Sequence, residues 1–233
     1  MEYIKIKDAD MIVNNSSYVV TNPVKYKNKW NDLFGNKNPI CLELGMGRGD
    51  FIIEMAKTYP NINFIGYEYI CRNLLKNRDI DYRTFEINID NERLKNIARN
   101  NLKSLKLNNL KLINADAREI DKIFGKEIDT IYLTFSEPWP KRIDETKRFT
   151  HVSYLKLYDK IFKKHKHIVL KTDNKGLFAY SLETLSSYWY VFEKVSLDLH
   201  NDERNIKNIM TNYEKQYLKE GRAIYYIDAK FEG

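Results

Sequence analysis

The segment Thr134–Arg142 brings side chains of complementary chemistry together over a short stretch of chain. Its sequence, Thr-Phe-Ser-Glu-Pro-Trp-Pro-Lys-Arg, holds a carboxylate, an indole and two cations around two prolines. A carboxylate can accept from the amide-like edge of a base, an indole can stack on a ring, and cations bind phosphate. Because proline disfavours helical backbone in the preceding residue, Glu137 and Trp139 are predicted to be extended. The segment predicts a stiff binding loop for a flat polar ligand; the alternative is a proline-rich turn between strand and helix.

A second candidate site is the glycine-rich stretch after the first apolar run. Gly45, Gly47 and Gly49 alternate with other residues, and a backbone without Cβ atoms lets a ligand approach closely. A dinucleotide-binding loop would read Gly-x-Gly-x-x-Gly, so the third glycine comes one residue early. Glu43 and Asp50 flank the loop, where they would repel a diphosphate but suit the cationic amino and sulfonium groups of S-adenosylmethionine. The loop therefore favours S-adenosylmethionine as cofactor.

Acidic residues at later strand ends could complete such a site. Glu68 ends the second apolar run about 20 residues after the loop, where a doubly wound sheet places an acid that binds ribose hydroxyls. Asp90, at the end of the run 87–90, is the competing candidate for that position. Asp116 follows the third run, where its carboxylate could reach an adenine amino group or cap a helix.

The elements that must position these residues alternate between strands and helices. Seven apolar runs read as strands: 40–44, 63–68, 110–114, 130–134, 167–171, 192–197 and 223–228. Segments with apolar spacings of three and four read as helices: 50–58, 91–107, 152–164 and 174–187. This alternation predicts a parallel sheet covered on both faces. The last two strands lack a clear helix between them, since 198–216 is polar and turn-rich, which favours an antiparallel pair.

Composition bounds the classes of protein that are possible. The 233 residues fit one doubly wound α/β domain, assigned to 21–233, after a mobile lead-in at 1–20. The net charge of +7 favours a nucleic-acid partner weakly, because charged residues of both signs make up 30% of the chain. No run of 18 uncharged apolar residues occurs, so the protein is predicted to be cytoplasmic, without a membrane partner.

Cysteine and histidine spacing does not indicate a metal site. Cys41 and Cys71 lie in or beside apolar runs and read as reduced core residues. The four histidines are scattered among lysines and apolar residues, so no metal is expected. The oligomeric state is not indicated by the sequence.

Six short motifs occur in order along the chain. They are Glu43-x-Gly-x-Gly-x-Gly49, Gly66-Tyr-Glu68, Asn114-Ala-Asp-Ala117, Phe135-Ser-Glu-Pro-Trp-Pro-Lys141, Lys171-Thr-Asp-Asn174 and Thr211-Asn-Tyr-Glu214. From about residue 22 to 226, the chain resembles the bacterial tRNA (guanine-N7-)-methyltransferase family. The resemblance implies a Rossmann-like class I methyltransferase fold, with a seven-stranded doubly wound sheet and an antiparallel last strand. It also implies methyl transfer from S-adenosylmethionine to N7 of guanine 46 in the variable loop of tRNA.

The resemblance also assigns individual residues. Those implied to line the S-adenosylmethionine site, with the three loop glycines, are Glu43, Glu68, Asp116 and Glu137. Those matching substrate-binding positions are Lys141, Asp173, Thr211, Asn212, Tyr213 and Glu214, to which the charge of Arg142 adds a phosphate contact. Glu137 stands where the family usually has Asp, the basic run after Lys141 is diluted over 143–146, and about 20 extra residues separate Glu68 from Asp116.

The chemistry of guanine defines the expected catalytic roles. N7 carries an in-plane lone pair, so the reaction needs orientation rather than a general base. Positive charge moves onto the purine during transfer, which strengthens donation from N1 and N2 to a carboxylate, so Glu137 and Asp173 are the predicted catalytic residues. Trp139 or Tyr213 could stack on the base. The alternatives are a helix cap for Asp173 and an ordinary amphipathic turn for Tyr213 and Glu214.

Two other functions remain open at this level. One is a catalytically weak or inactive RNA-binding protein that keeps the fold, which the Glu137 substitution and the thinned basic run would suit. The other is a methyltransferase acting on a small molecule or a protein, and its substrate affinity would depend little on salt. A tRNA substrate would instead give a steep salt dependence, because phosphate contacts are expected from Lys141, Arg142, Lys147 and Arg148.

Overall fold

The computed structural model describes residues 16–47, 49–68, 106–204 and 208–231. Within them, seven strands form one mixed sheet in the order β3-β2-β1-β4-β5-β7-β6. The strands are β1 (Ile40–Leu44), β2 (Asn63–Glu68), β3 (Leu110–Asn114), β4 (Ile128–Thr134), β5 (Phe162–Thr172), β6 (Val191–Ser196) and β7 (Tyr225–Phe231). β1 to β5 are parallel, and β7 runs antiparallel to both β5 and β6. The predicted α/β sheet with an antiparallel last strand is confirmed.

The described helices are α1 (Trp30–Phe34), α2 (Asp50–Thr58), α3 (Ile120–Ile123), α4 (Val152–Ile161), α5 (Lys175–Ser187) and α6 (Asn212–Lys219). The predicted helix 152–164 ends three residues early, because Phe162 already pairs with Ile128 as the first residue of β5. Of the predicted helix 91–107, only residues 106 and 107 are described, and they are not helical. Its remainder lies outside the described residues, as do Asp90, Cys71 and the extra segment. None of the described helices combines the length and apolar character that a membrane span requires.

Side chains leave the sheet alternately toward two apolar layers, as doubly wound folds require. Cys41 and Phe64 pack in the layer that contains α2, whereas Leu42 and Ile65 pack in the layer that contains α4 and α5. In the second layer, the indole of the fully buried Trp30 donates to the Ile123 carbonyl at 3.1 Å. Helices therefore cover both faces of the sheet.

The end of the predicted lead-in is attached to the sheet. The Val20 amide donates to the Leu112 carbonyl at 2.9 Å, and the Leu112 amide donates to the Tyr18 carbonyl at 2.8 Å. Tyr18 and Val20 are also buried. Residues 16–20 thus extend the sheet beside β3 instead of forming a mobile lead-in, and residues 1–15 lie outside the described part of the chain.

Strand order fixes the place of a ligand site. β1 and β4 are neighbours, but β2 lies on the far side of β1 and β5 on the far side of β4. The loops that follow β1 and β4 therefore diverge, which opens a crevice at the carboxyl edge of the sheet. The glycine-rich loop and the Pro-Trp-Pro segment both begin at this edge.

Candidate active site

A cavity of about 560 Å³ occupies that crevice. Eight of the predicted site residues line it: Glu43, Gly45, Gly47, Glu68, Asp116, Glu137, Thr211 and Tyr213. Six others are not part of its lining: Gly49, Lys141, Arg142, Asp173, Asn212 and Glu214. The structure thus brings most of the predicted cofactor residues together, but it divides the predicted substrate residues.

Glu43 supplies a buried carboxyl group to the cavity. Its side chain lies at the end of β1, and the residue is 1% exposed. The Thr134 hydroxyl donates to Oε1, whereas Oε2 is buried with no hydrogen-bond partner among the described residues. Burial raises the pKa of Glu43 to about 8, although the Thr134 hydrogen bond and the Lys171 charge act in the opposite direction. A cationic ligand group at Oε2 would satisfy this oxygen and lower that pKa.

The glycine-rich loop is held in a backbone conformation that favours glycine. Gly45, Gly47 and Gly49 have φ angles of 74°, 53° and 74°. A Cβ built on Gly47 would meet nothing within 4 Å, so the protein requires this glycine for its backbone angle rather than for internal space. Gly49 precedes α2 as its N-cap, away from the cavity. Gly49 was predicted to let a ligand approach the backbone, whereas in the structure it starts the helix.

Glu68 connects the loop to β2. Its Oε2 accepts from the Gly47 amide at 2.8 Å, and the Gly45 amide donates to the Tyr67 carbonyl at 2.8 Å. The carboxylate is 8% exposed and lines the cavity. The acid predicted to bind ribose hydroxyls therefore also fixes the loop beside it.

Asp116 lies at the cavity and is also the helix cap that its sequence position allowed. It lines the cavity, and its Oδ1 accepts from the Arg118 amide at 2.9 Å as the N-cap of the 3-10 helix Ala117–Glu119. The Arg118 guanidinium also pairs with the carboxylate. Burial raises the pKa of Asp116, but the hydrogen bonds from Arg118 outweigh that effect and the net pKa is lowered. The group is thus held as an anion at the cavity wall.

The Pro-Trp-Pro segment is more strained than predicted. Phe135 and Trp139 have positive φ angles of 49° and 44°, which bulky side chains rarely adopt. The prediction of an extended Trp139 is therefore wrong. The Arg148 guanidinium donates to the Trp139 carbonyl at 3.0 and 3.2 Å, and the Lys147 ammonium lies 4.6 Å from the indole centroid. These contacts from the next helical turn hold the unusual backbone, and strain of this kind is concentrated at functional sites.

The polar groups of that segment differ in how they are engaged. Glu137 is exposed at the cavity, and its carboxylate makes no hydrogen bond or ion pair with the described residues. Lys141 and Arg142 are also exposed and make no ion pair with the described residues, but they lie outside the cavity lining. Lys147 instead pairs with Asp144 at 2.6 Å, so of the four cations predicted to contact phosphate, the first two are the more available.

Helix α6 closes one side of the cavity, and a buried ion pair anchors it. The Lys171 ammonium donates to Glu214 Oε2 at 2.9 Å, and the two side chains are 3% and 0% exposed. His200 Nε2 lies 2.8 Å from the other carboxylate oxygen, and Lys171 also donates to Asn208 and to the Ile209 carbonyl. Glu214 is therefore turned away from the cavity, contrary to the predicted substrate contact, because its carboxylate forms this buried network.

Helix α6 is not among the predicted elements, although its sequence contains a signal for a helix start. Thr211 accepts from the Glu214 amide at 3.0 Å, and the Glu214 side chain accepts from the Thr211 amide at 3.4 Å. This reciprocal capping box is readable as Thr-x-x-Glu. The family motif at 211–214 is thus also a helix start. Asn212, predicted to bind substrate, instead donates to Asp50 of α2 at 2.9 Å.

Asp173 lies beside the cavity and is paired. The Arg222 guanidinium donates to its Oδ2 at 2.9 Å and lies 4.8 Å from the ring centroid of Tyr217, which does line the cavity. The cap of α5 is Asn174, which accepts from the Leu177 amide at 2.8 Å. The alternative helix cap therefore does not describe Asp173, whereas its predicted contact with guanine stays a prediction.

The cavity wall also contains aromatic residues that the sequence analysis did not assign. Phe135 and Tyr217 line it with their ring centroids 5.7 Å apart, and Tyr213 stacks on Tyr217 with centroids 6.4 Å apart and ring planes 27° apart. The four-residue spacing of the two tyrosines on one helix was the available signal. Among the described residues, no group of His, Cys, Asp or Glu side chains is arranged to hold a metal ion.

Comparisons with known proteins show the family of this chain. A family model described as "Putative methyltransferase" matches residues 37–227. The tRNA (guanine-N(7)-)-methyltransferase of Geobacillus sp. (strain WCH70) is 40% identical over 92% of this chain and 88% of its own length. The protein of the same name from Bacillus subtilis (strain 168) is 39% identical over 95% of this chain and 94% of its own.

Solved structures support the fold. A 16S rRNA (adenine(1408)-N(1))-methyltransferase variant from Catenulisporales acidiphilia, solved with its cosubstrate SAM, aligns with a TM-score of 0.54. The alignment covers 88% of this chain and 91% of that one at 8% identity, so it bears on the fold alone. The strand order, the position of the cavity and the similarity to the two relatives over 88% and 94% of their length all lead to the same family. The chain belongs to the tRNA (guanine-N(7)-)-methyltransferase family.

Proposed function

We propose that this protein transfers a methyl group from S-adenosylmethionine to N7 of guanine 46 in the variable loop of tRNA, in the cytoplasm. The observation that carries the proposal is the buried Oε2 of Glu43, which has no hydrogen-bond partner among the described residues, in the cavity that also contains the Glu137 carboxylate. The first group suits a cationic cofactor and the second a hydrogen-bond-donating base. The two relatives described above carry the corresponding name.

The residues present fit S-adenosylmethionine. When bound, this cofactor supplies a methyl group activated by its sulfonium. Glu43 would hold its cationic part, because an unsatisfied buried carboxyl oxygen gains most from a positive partner. Glu68 would accept from ribose hydroxyls while it keeps the Gly47 amide. Asp116 would meet the adenine edge, since an ionised carboxylate has acceptor sites beyond those that Arg118 uses.

Residues of this chain would orient the guanine and stabilise its developing charge. N7 already carries an in-plane lone pair, so no side chain has to remove a proton before it reacts. Glu137 would accept hydrogen bonds from N1 and N2, which become stronger donors as positive charge reaches the ring. Because the carboxylate has no partner among the described residues, it needs to break no contact there before engaging the base. We therefore assign Glu137 as the catalytic carboxylate.

Binding of the rest of the tRNA would depend on phosphate contacts. Lys141 and Arg142 are exposed next to the cavity without ion pairs among the described residues. Their charges are therefore not neutralised internally and can replace the counterions of a polynucleotide. Thr211, which caps α6 and lines the cavity, is a candidate contact with the substrate base.

The decisive experiment is to map the methylated nucleotide. Purified protein, S-adenosylmethionine and an unmodified tRNA transcript with a variable-loop guanine are expected to give N7-methylguanosine at that position only. The matched control is the same tRNA with 7-deazaguanine there, which lacks the nucleophilic atom and is expected to remain unmethylated. Equal methylation of both substrates would exclude N7 as the acceptor. Tight tRNA binding without cofactor binding or transfer would instead identify an inactive RNA-binding protein.

A further inference from the structure

Four side chains beside the cavity contact one another in a row, and we call this row the stack: Asp173, Arg222, Tyr217 and Tyr213. The Asp173 carboxylate accepts from Arg222, whose guanidinium carbon lies 4.8 Å from the Tyr217 ring centroid. Tyr217 in turn stacks on Tyr213, with ring planes 27° apart. We infer that Asp173, Arg222 and Tyr217 are positioning residues that hold Tyr213 as a preordered platform for the purine base of the substrate. The inference deepens the proposed function and rests on it.

The positions of the rings support this arrangement. Tyr213 and Tyr217 lie one helical turn apart on α6, both line the cavity, and Tyr213 is 42% exposed at that point. An exposed tyrosine would ordinarily sample several rotamers and lose that freedom on stacking with a base. Contact with Tyr217 restricts it in advance. Since the binding site then loses less entropy, a stack of this kind increases affinity without adding a contact to the ligand.

The cation at the back of the stack is also restricted from two sides. Arg222 pairs with Asp173 and, through Nε, with Glu220 at 2.9 Å. A guanidinium fixed by two carboxylates keeps its plane over an aromatic ring better than a mobile one. On the other side, Phe135 lies 5.7 Å from Tyr217. The platform is thus supported both by α6 and by the strained loop that carries Glu137.

The other aromatic candidate for stacking is partly occupied. The Lys147 ammonium already lies over the Trp139 ring, and the Trp139 carbonyl is bound by Arg148. Tyr213 stacks on Tyr217 and is 42% exposed at the cavity, whereas Trp139 is half-buried. The observations therefore favour Tyr213 over Trp139 as the base platform.

The test is a double-mutant cycle on tRNA binding and turnover. Arg222→Ala is expected to raise the KM and Kd for tRNA about 3- to 30-fold, the range for loss of a stacked cation or an ordered ring. The Kd for S-adenosylmethionine should be unchanged. In a Tyr213→Ala background, Arg222→Ala should have no further effect on tRNA binding, because the ring that it positions is gone. Additive losses would overturn the inference.

Matched variants separate stacking from charge and from folding. Lys219→Ala removes one exposed charge from the same helix and is expected to leave the tRNA Kd within about twofold. Tyr217→Phe keeps the ring and should lose less tRNA affinity than Tyr217→Leu, which should match Arg222→Ala. Melting temperatures identify any variant that fails to fold, and Tyr217→Phe against Tyr217→Leu then decides. Equal tRNA binding by those two would also overturn the inference.

Asp173 gives an independent outcome. If it acts through Arg222, Asp173→Asn should have no further effect on kcat or tRNA binding once Arg222 is alanine. A further fall in kcat would show direct contact with the base and contradict the positioning role. Absence of methyl transfer to tRNA by the wild-type protein would refute the proposed function itself. Transfer by the wild type together with unaltered Arg222→Ala and Tyr217→Leu variants would refute only the platform.

Discussion

At the scale of single residues, Glu43 is unusual because its side chain is almost fully buried while its Oε2 atom has no hydrogen-bond partner among the described residues. Its folded pKa is raised to about 8 from the ordinary value of 4.5. Between those two pH values the unfolded chain releases a proton that the folded protein retains, so stability falls as pH rises through this window. A group that weakens the free protein in this way is expected where a cationic ligand later compensates.

Replacing Glu43 with Gln should therefore separate stability from binding. Each pKa unit corresponds to about 1.4 kcal/mol, so at pH 8 we expect Glu43→Gln to raise the free energy of unfolding by about 1–4 kcal/mol. The decline in stability between pH 5 and pH 8 should become shallower. S-adenosylmethionine affinity should fall about 10- to 100-fold, as for loss of a charged hydrogen bond. Denaturant titrations across pH and calorimetry measure the two effects, and a destabilised Gln variant at pH 8 would contradict the first.

Glu137 allows a test of the catalytic assignment. Glu137→Gln keeps the size of the side chain but removes the acceptor charge, so kcat should fall about 10- to 100-fold while the tRNA Kd changes less than about threefold. Glu137→Asp keeps the charge and shortens the side chain by one methylene, and it is the control for position. Single-turnover kinetics with saturating tRNA give the comparison. Unchanged turnover in the Gln variant would make Glu137 a structural residue.

The sequence predicted single residues unevenly. Glu43, Glu68 and Asp116 could be placed at the cavity because the carboxyl ends of parallel strands meet at one edge. Glu214 could not be placed correctly. Its motif is compatible with a substrate contact or with a capping box and a buried ion pair, and only the position of Lys171 in the fold decides between these roles. The left-handed backbone of Trp139 also depends on a remote partner, Arg148. Tertiary contacts of this kind leave no local signal.

At the scale of elements, α6 is held mainly by its N-terminus. Five of its eight residues have charged or amide side chains, and only Glu214 is fully buried. Such a helix has little apolar surface to dock, which is why its periodicity gave no clear prediction. The capping box and the Lys171 pair replace the missing apolar contact.

Breaking that pair should detach the helix. We expect Lys171→Met to lower the free energy of unfolding by about 3–5 kcal/mol, because it leaves the Glu214 carboxylate buried without its cation. Lys230→Met, which removes one partner of the exposed pair Lys230–Glu193, should cost at most about 1 kcal/mol. Chemical denaturation measures both variants. Hydrogen exchange should additionally show lost protection over 212–219 in Lys171→Met alone, and equal stability of the two variants would contradict the anchoring role.

At the scale of the whole molecule, the fold was the most predictable property. Alternating strands and helices restrict the sheet to a parallel order with both faces covered, and few connections satisfy those rules. The reversed direction of the last strand was predicted correctly from the wrong premise, since α6 does lie between β6 and β7 although its sequence shows no clear apolar period. What remained unpredictable was the extent of β5, since the early end of α4 depends on pairing between Phe162 and Ile128. The attachment of residues 16–20 to β3 likewise depends on a distant strand.

Net charge should act through a few exposed positions beside the cavity. Lys141→Ala and Arg142→Ala are each expected to reduce the slope of log Kd for tRNA against log salt by about 0.7–0.9, one phosphate contact each. Lys163→Ala is the charge-matched control. Lys163 lies near the start of β5, away from the carboxyl edge of the sheet where the cavity lies, so this variant should leave the slope unchanged. Fluorescence anisotropy with labelled tRNA over a salt series gives the values. Equal slopes in all three variants would show that binding does not use this segment.

The hydrogen bond between Asn212 and Asp50 joins residues 162 positions apart. Together with the Lys171–Glu214 pair, it means that the cavity is lined by residues of the last described helix as well as by residues of the first strand and the loop after it. During synthesis on the ribosome, a nascent chain that has not yet released α6 therefore has no complete cavity.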